Sequence, residues 1–186
     1  MNTTDKFRRI CLYAGPGVGK SRLSAWLYSA LKDKNYNIEL VREEIKLAAY
    51  QKKKPKGFEP LEYFTKQLRQ EEQWLESGVD LIITDCPIAL NTAYAKISKS
   101  VLYESFDKIT QIFDNQYSGL HIILDRDHNR YVQNGRYQTH SEAKELDIQI
   151  NNFIKQRYDN KDNHRILFES ASNRTNILEH ICHLII

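Results

Sequence analysis

A chain of 186 residues is long enough for one domain with a sizeable core, and 41% hydrophobic against 27% charged residues is an ordinary composition for a soluble globular protein. Twenty-seven lysines and arginines against 24 acids leave a net charge of +3, which suits an anionic substrate without marking a nucleic-acid binder. No apolar run reaches the length of a membrane span, and Cys11, Cys86 and Cys182 fit neither a disulfide framework nor a CxxC metal site. With a polar start that is no signal peptide, the expected setting is a reducing cytoplasm.

The first element is an apolar run, Ile10-Cys11-Leu12-Tyr13, expected as a buried strand. It leads into Ala14-Gly15-Pro16-Gly17-Val18-Gly19-Lys20-Ser21, and then into a helical pattern at Leu23, Trp26, Leu27, Ala30 and Leu31. Strand, glycine loop, Lys-Ser and helix is the context a phosphate-binding loop requires. Gly15, Gly17 and Gly19 can take positive φ and lack Cβ atoms, so backbone N–H groups can wrap a phosphate chain. The stretch from Gly15 through Pro16, Val18 and Arg22 is therefore the expected ATP site, with the helix dipole aimed at the same anion. Lys20 is expected at the β- and γ-phosphates and the Ser21 hydroxyl on Mg²⁺. The strict motif begins with glycine; here that place is Ala14.

A second strand is expected at 37–41, with Arg42, Glu43 and Glu44 at its end. Ligands of open parallel sheets lie beyond the carboxyl ends of the strands, so Arg42 can grip a substrate phosphate and Glu43 can accept from a hydroxyl or a base N–H. A solvated helix start explains the two acids almost as well. A short helix over 45–50 precedes the loop Gln51-Lys52-Lys53-Lys54-Pro55-Lys56-Gly57, whose four lysines suit either a mobile soluble loop or a nucleic-acid contact.

The pattern predicts a long helix over 60–77, with Leu61, Phe64, Leu68 and Leu75 as its apolar stripe. Tyr63, Gln67 and Trp74 form a second face that either reads a base or widens the core. Val79 to Asp85 then reads as a buried parallel strand tipped by a carboxylate, placed to hold Mg²⁺ or to take the proton of an attacking hydroxyl.

A helix over 100–117, with Leu102, Phe106, Ile109, Ile112 and Phe113 inward, leads to a fourth strand at 121–125. Arg126, Arg130 and Arg136 follow within an irregular polar stretch that suits a lid closing over the transferring phosphoryl group. Ser141-Glu142-Ala143-Lys144 is expected to cap a helix to about 158, before a fifth strand at 165–169 and a last helix at 177–185. In the turn between them, Asn173 and Arg174 are candidates to pack on an adenine ring.

Five strands alternating with helices predict an α/β fold, a parallel sheet covered on both faces, in a single domain over 1–186 with a lid near 126–140. Together, Gly17-Val18-Gly19-Lys20-Ser21, the Asp85 strand and the arginine segment resemble the P-loop kinases that phosphorylate nucleosides and nucleotides. More narrowly, Lys66-Gln67-Leu68-Arg69, Thr84-Asp85-Cys86-Pro87 and Gly135-Arg136-Tyr137-Gln138-Thr139 are similar to small phage-encoded kinases of that superfamily. The resemblance implies a three-layer P-loop NTPase fold with sheet order 2-3-1-4-5. It also implies an ATP- and Mg²⁺-dependent kinase acting on a nucleoside, a nucleotide or a modified base, in the host cytoplasm if phage-encoded. Arg126 and Arg130 would stabilise the transferring group, and Arg42, Glu43, Tyr63, Gln67 and Arg136 would contact the acceptor. Thymidylate kinases carry Asp-Arg after the third strand where this chain has Asp85-Cys86, so the acceptor stays open. Two other functions remain: a phage enzyme phosphorylating 5-hydroxymethyluracil within DNA, and a regulatory ATPase with no acceptor. The oligomeric state, a homodimer included, is open as well.

Overall fold

A computed structural model describes residues 7–126, 131 and 136–185. The backbone alternates strand and helix: β1 (Arg9–Tyr13), α1 (Lys20–Lys32), β2 (Ile38–Val41), α2 (Lys46–Tyr50), α3 (Glu59–Glu76), β3 (Leu81–Thr84), α4 (Ile88–Ile97), α5 (Tyr103–Gln116), β4 (Gly119–Asp125), α6 (His140–Tyr158), β5 (His164–Ser170) and α7 (Arg174–Ile185). The strands form one parallel sheet in the order β2-β3-β1-β4-β5, the order the resemblance implied. Its centre is β1, where Ile10 lies opposite Ile83 on one side and Leu120 on the other.

Successive residues of β1 feed opposite faces. Ile10 and Leu12 pack with Leu23, Leu27, Ile177 and Ile181 of α1 and α7. Cys11 and Tyr13 pack with Ala93, Ile150 and Ile154 of α4 and α6. A third cluster joins α3 and α5 to the β2–β3 edge, where the Phe64 and Phe106 rings stack with centroids 4.0 Å apart. Burying one such side chain stabilises the fold by about 1.5–3 kcal/mol. The sheet is thus covered on both faces, and all its carboxyl ends open toward one edge, where a ligand has room.

One helix was not anticipated and two expectations need correction. Residues 88–97 form a helix that hydrophobic periodicity does not predict, because Ile88, Ala89, Leu90, Thr92, Ala93 and Ala95 are all buried and leave no polar face to set a period. Ile112 is exposed; Thr110 and Asp114 point inward on α5 instead. The cap of α6 is Thr139, whose hydroxyl accepts from the Glu142 N–H while the Glu142 carboxylate accepts from the Thr139 N–H, a reciprocal pair that Ser141, two residues later and already inside the helix, cannot make.

At the opposite, amino-terminal edge of the sheet, Arg9 is 1% exposed. Its Nη2 donates to Asp114 Oδ1 at 2.9 Å, and its Nη1 lies 3.7 Å from Glu71 Oε2. Arg157 and the Tyr158 hydroxyl also donate to Asp114. Burial alone would raise the Asp114 pKa, yet Arg9 and Arg157 hold it below the usual carboxylate range. This network fastens α3 and α5 to β1 and lies away from the strand ends where ligands bind.

Candidate functional site

The loop after β1 takes its shape from glycine. Gly17 has φ 88° and Gly19 φ 114°, a region that side chains with a Cβ rarely enter. Gly19 stands at the N-terminus of α1, whose first turn carries no acid, so the positive end of the helix dipole is unopposed. Ala14 is fully buried in the core, which is why a methyl is accommodated where the motif has glycine. Val18 likewise turns inward, 4% exposed. Lys20 Nζ donates to the Ala14 and Gly15 carbonyls at 2.7 and 3.1 Å, so the ammonium lies folded against the concave side of the loop.

A cavity of about 800 Å³ opens beside this loop. Pro16, Gly17, Gly19, Lys20, Ser21 and Arg22 of the loop line it, with Glu43 and Lys46 near them, and so do the rings of Tyr63, Tyr94 and Phe106 and the amide side chain of Asn91. Arg136 and Tyr137 border it as well. A volume in this range, apolar with a few convergent polar groups, is the usual form of a small-molecule site.

Glu43 is half-buried at the carboxyl end of β2. Burial pushes its pKa above the usual carboxylate range; Asp85 adds to the rise, while Lys20, Lys46 and Arg136 oppose it. Asp85 follows β3 directly, is 3% exposed, and its Oδ1 has no hydrogen-bond partner among the described residues. A buried carboxylate oxygen without a donor is costly unless a cation or water meets it. The Ser21 hydroxyl and the Asp85 carboxylate are hard oxygen donors of the kind Mg²⁺ takes, and a metal arriving on phosphates needs few protein ligands. Among the described residues no group of three or more His, Cys, Asp or Glu side chains is placed to hold a metal unaided.

Other expected contacts lie elsewhere. Gln67 is 1% exposed and does not line the cavity; its Nε2 approaches Glu71 Oε1 and Thr84 Oγ1, each at 3.4 Å. Trp74 on the same helix is 40% exposed and also outside the cavity. Arg42 is exposed and does not line the cavity. Arg126, expected over the transferring group, is fastened behind the loop to Asp147 and to the Pro16 carbonyl. The Asn173 amide approaches Glu169 and the Arg174 guanidinium lies over Trp26, so neither forms part of the cavity wall. Arg130 lies outside the described residues.

Arg136 does approach the loop. Its Nε lies 3.4 Å from where a Cβ on Gly17 would be, and its guanidinium sits 5.2 Å from the Tyr131 ring. Tyr131 itself packs against Gly17 so closely that a Cβ there would meet the ring at 2.8 Å. Sequence reasoning passed over Lys46, Asn91, Tyr94, Tyr131 and Asp147. Lys46 stands two residues after Glu44 on a short helix with no motif of its own, Asn91 and Tyr94 ride on the unpredicted α4, and no local signal marks the other two.

No protein-family model and no curated protein sequence matches the chain. Among solved structures it is similar to deoxyadenosine kinase from M. mycoides, whose structure holds the products dCMP and a flexible dCDP. The match has a TM-score of 0.57 at 16% identity, over 94% of this chain and 96% of that one. At that identity the likeness is one of fold: a five-stranded parallel α/β sheet flanked by helices, as in a nucleoside kinase. No helix among the described residues is long and apolar enough to cross a membrane.

Proposed function

We propose that this protein is an ATP-dependent kinase that transfers the γ-phosphoryl group to a hydroxyl of a nucleoside, a nucleotide or a modified base. The observation that carries the reading is the shared cavity. The glycine loop with Lys20, the aromatic side chains of Tyr63 and Tyr94, and Glu43 line one space, and Glu43 interacts electrostatically with both Lys20 and Tyr94. A phosphate donor and a ring-bearing acceptor would meet at that carboxylate.

In this reading the loop N–H groups and Lys20 hold the ATP phosphates. Ser21 and Asp85 would hold Mg²⁺, which when bound offsets phosphate charge. Glu43 takes the proton of the acceptor hydroxyl as its oxygen bonds to the γ-phosphorus; the bond from that phosphorus to the β–γ bridging oxygen breaks, and ADP leaves. A carboxyl raised by burial is the better base near neutral pH, and Glu43, unlike Asp85, lines the cavity. Arg136 and Lys46 add positive charge where the transferring group passes. The lid side argues against a simple ATPase, because excluding water matters most where water competes with an acceptor.

A second reading, a kinase acting on hydroxymethylated pyrimidine within DNA, is favoured by the mouth of the cavity. Lys54, Pro55 and Tyr50 line it, and Tyr50 and Phe58 are 61% and 70% exposed beside the lysine loop.

Transfer of labelled γ-phosphate to nucleosides, nucleoside monophosphates and duplex DNA with or without hydroxymethyluracil tests both, with Lys20→Ala as control. Label on a free nucleoside or nucleotide supports the first reading, and label confined to modified DNA the second. Lys20-dependent release of free phosphate alone would overturn the kinase reading.

A further inference from the structure

Asp147, on α6, reaches across to the phosphate loop. Its Oδ1 accepts from the Gly15 backbone N–H at 2.7 Å, and its Oδ2 accepts from Arg126 Nε at 2.6 Å. Arg126 Nη2 completes the pair by donating to Asp147 Oδ1 at 3.2 Å, to the Pro16 carbonyl at 2.9 Å and to the Ala143 carbonyl at 3.5 Å. One carboxylate and one guanidinium thus hold two consecutive loop residues against α6. The side chains are only 14% and 11% exposed, so solvent screens this pair far less than a surface ion pair.

Glycine at position 15 follows from the same contact. A Cβ there would sit 2.7 Å from Asp147 Oδ1 and 2.9 Å from the Ala143 carbonyl, closer than real Cβ contacts come. The φ of Gly15 is not in the positive region, so the need is for close approach rather than for an unusual backbone.

We propose that Asp147 is a positioning residue for the phosphate loop: through Gly15 and, by way of Arg126, through Pro16, it sets the backbone N–H groups of the loop before a nucleotide arrives. Arg126 is then a positioning residue too, and the charge facing the phosphoryl group comes from other residues. Loop donors fixed in advance need not be ordered on binding, which is how such a clamp would raise nucleotide affinity.

The inference rests on the kinase reading only in taking this loop as the nucleotide site, and its test needs no acceptor. Calorimetric titration of the full-length protein with a non-hydrolysable ATP analogue is compared for the parent, Asp147→Asn, Arg126→Met and the double variant, with thermal denaturation alongside. Asparagine keeps the shape and the acceptor to Gly15 but cannot accept from Arg126 on its amide nitrogen. Each single variant is expected to bind the analogue about tenfold more weakly, and the double variant no more weakly than either, since both remove one clamp. Where transfer is measurable, KM for ATP should rise while KM for the acceptor stays put. Parent-like affinity in a folded Asp147→Asn variant would overturn the proposal, as would losses that multiply in the double variant. If Asp147→Asn fails to fold, Arg126→Met decides alone by the same measure. Lost analogue binding in a protein that transfers phosphate to nothing would sink the kinase reading and leave the clamp standing.

Discussion

The Lys46 ammonium lies 3.4 Å from the Ser21 hydroxyl, the oxygen proposed above as a Mg²⁺ ligand. A cation from α2 therefore stands beside the glycine loop, where the sequence pointed to Lys20, Arg42 and the arginines after β4. It also acts on Glu43, whose pKa it lowers.

Truncating Lys46 should consequently do two things. Lys46→Met is expected to lower kcat/KM for ATP about tenfold, the loss of one charge–phosphate contact in a partly enclosed site, and Lys46→Arg to recover most of it. The acidic limb of the pH–rate profile should move to higher pH, because a base that loses a neighbouring cation holds its proton more tightly. Steady-state kinetics over pH 5–8 checks both, and an unmoved acidic limb would separate Lys46 from Glu43.

For Glu43 itself, Glu43→Gln keeps the size and removes the proton acceptor. Positioned proton transfer is typically worth 10²–10⁴-fold, so kcat should fall by about that range with KM for ATP little changed. The acidic limb should vanish with it. An Asp85→Asn variant is expected instead to raise the Mg²⁺ concentration needed for half-maximal rate, since the orphaned Oδ1 is the oxygen a metal would satisfy. If the two variants showed the same Mg²⁺ dependence and the same pH profile, the division of roles between them would fail.

What local sequence could reveal was bounded by the range of the interactions. The phosphate loop is contiguous from Ala14 to Ser21, and its glycines and Lys-Ser pair declare themselves. Strand tips at Glu43 and Asp85 follow from apolar runs that end in acid. Arg126 could not be placed, because its partner Asp147 lies 21 residues away in sequence. Gln67 was misplaced for a related reason: helical periodicity puts it beside Tyr63, yet one turn of difference decides whether a side chain faces the cavity or turns under β3 toward Thr84. Helix α4 escaped notice because a segment buried on nearly every side carries no amphipathic signal, and with it went Asn91 and Tyr94 of the cavity wall.

Lys20→Ala should abolish nucleotide binding without unfolding the protein. Among the described residues the ammonium bonds to the Ala14 and Gly15 carbonyls, partners that water can serve once the side chain is gone. Melting temperature is expected to change little, while analogue affinity drops by at least tenfold. A variant that lost both together would show Lys20 to be a structural brace of the loop.

The last prediction concerns stability at the far edge of the sheet. Glu71 is fully buried between Gln67, the Ile88 N–H and Arg9, and burial pushes its pKa up to about 7 against the pull of Arg9 and those two hydrogen bonds. A carboxyl whose folded pKa is raised favours the folded state most below the unfolded value, near 4.5, and that contribution is lost as pH rises to about 7. Glu71→Gln removes the titration while keeping the Oε1 acceptor for Ile88. Relative to the parent, the variant should therefore gain stability on going from pH 4.5 to 7, by about 1.4 kcal/mol for each pH unit fully within the window. Urea unfolding of both proteins at several pH values measures the difference. A gap that stayed constant would mean that Glu71 is ionised throughout and that Arg9 outweighs the cost of burying it. Should the gap narrow in the opposite direction, the carboxylate would be stabilised by its network in the way Asp114 is.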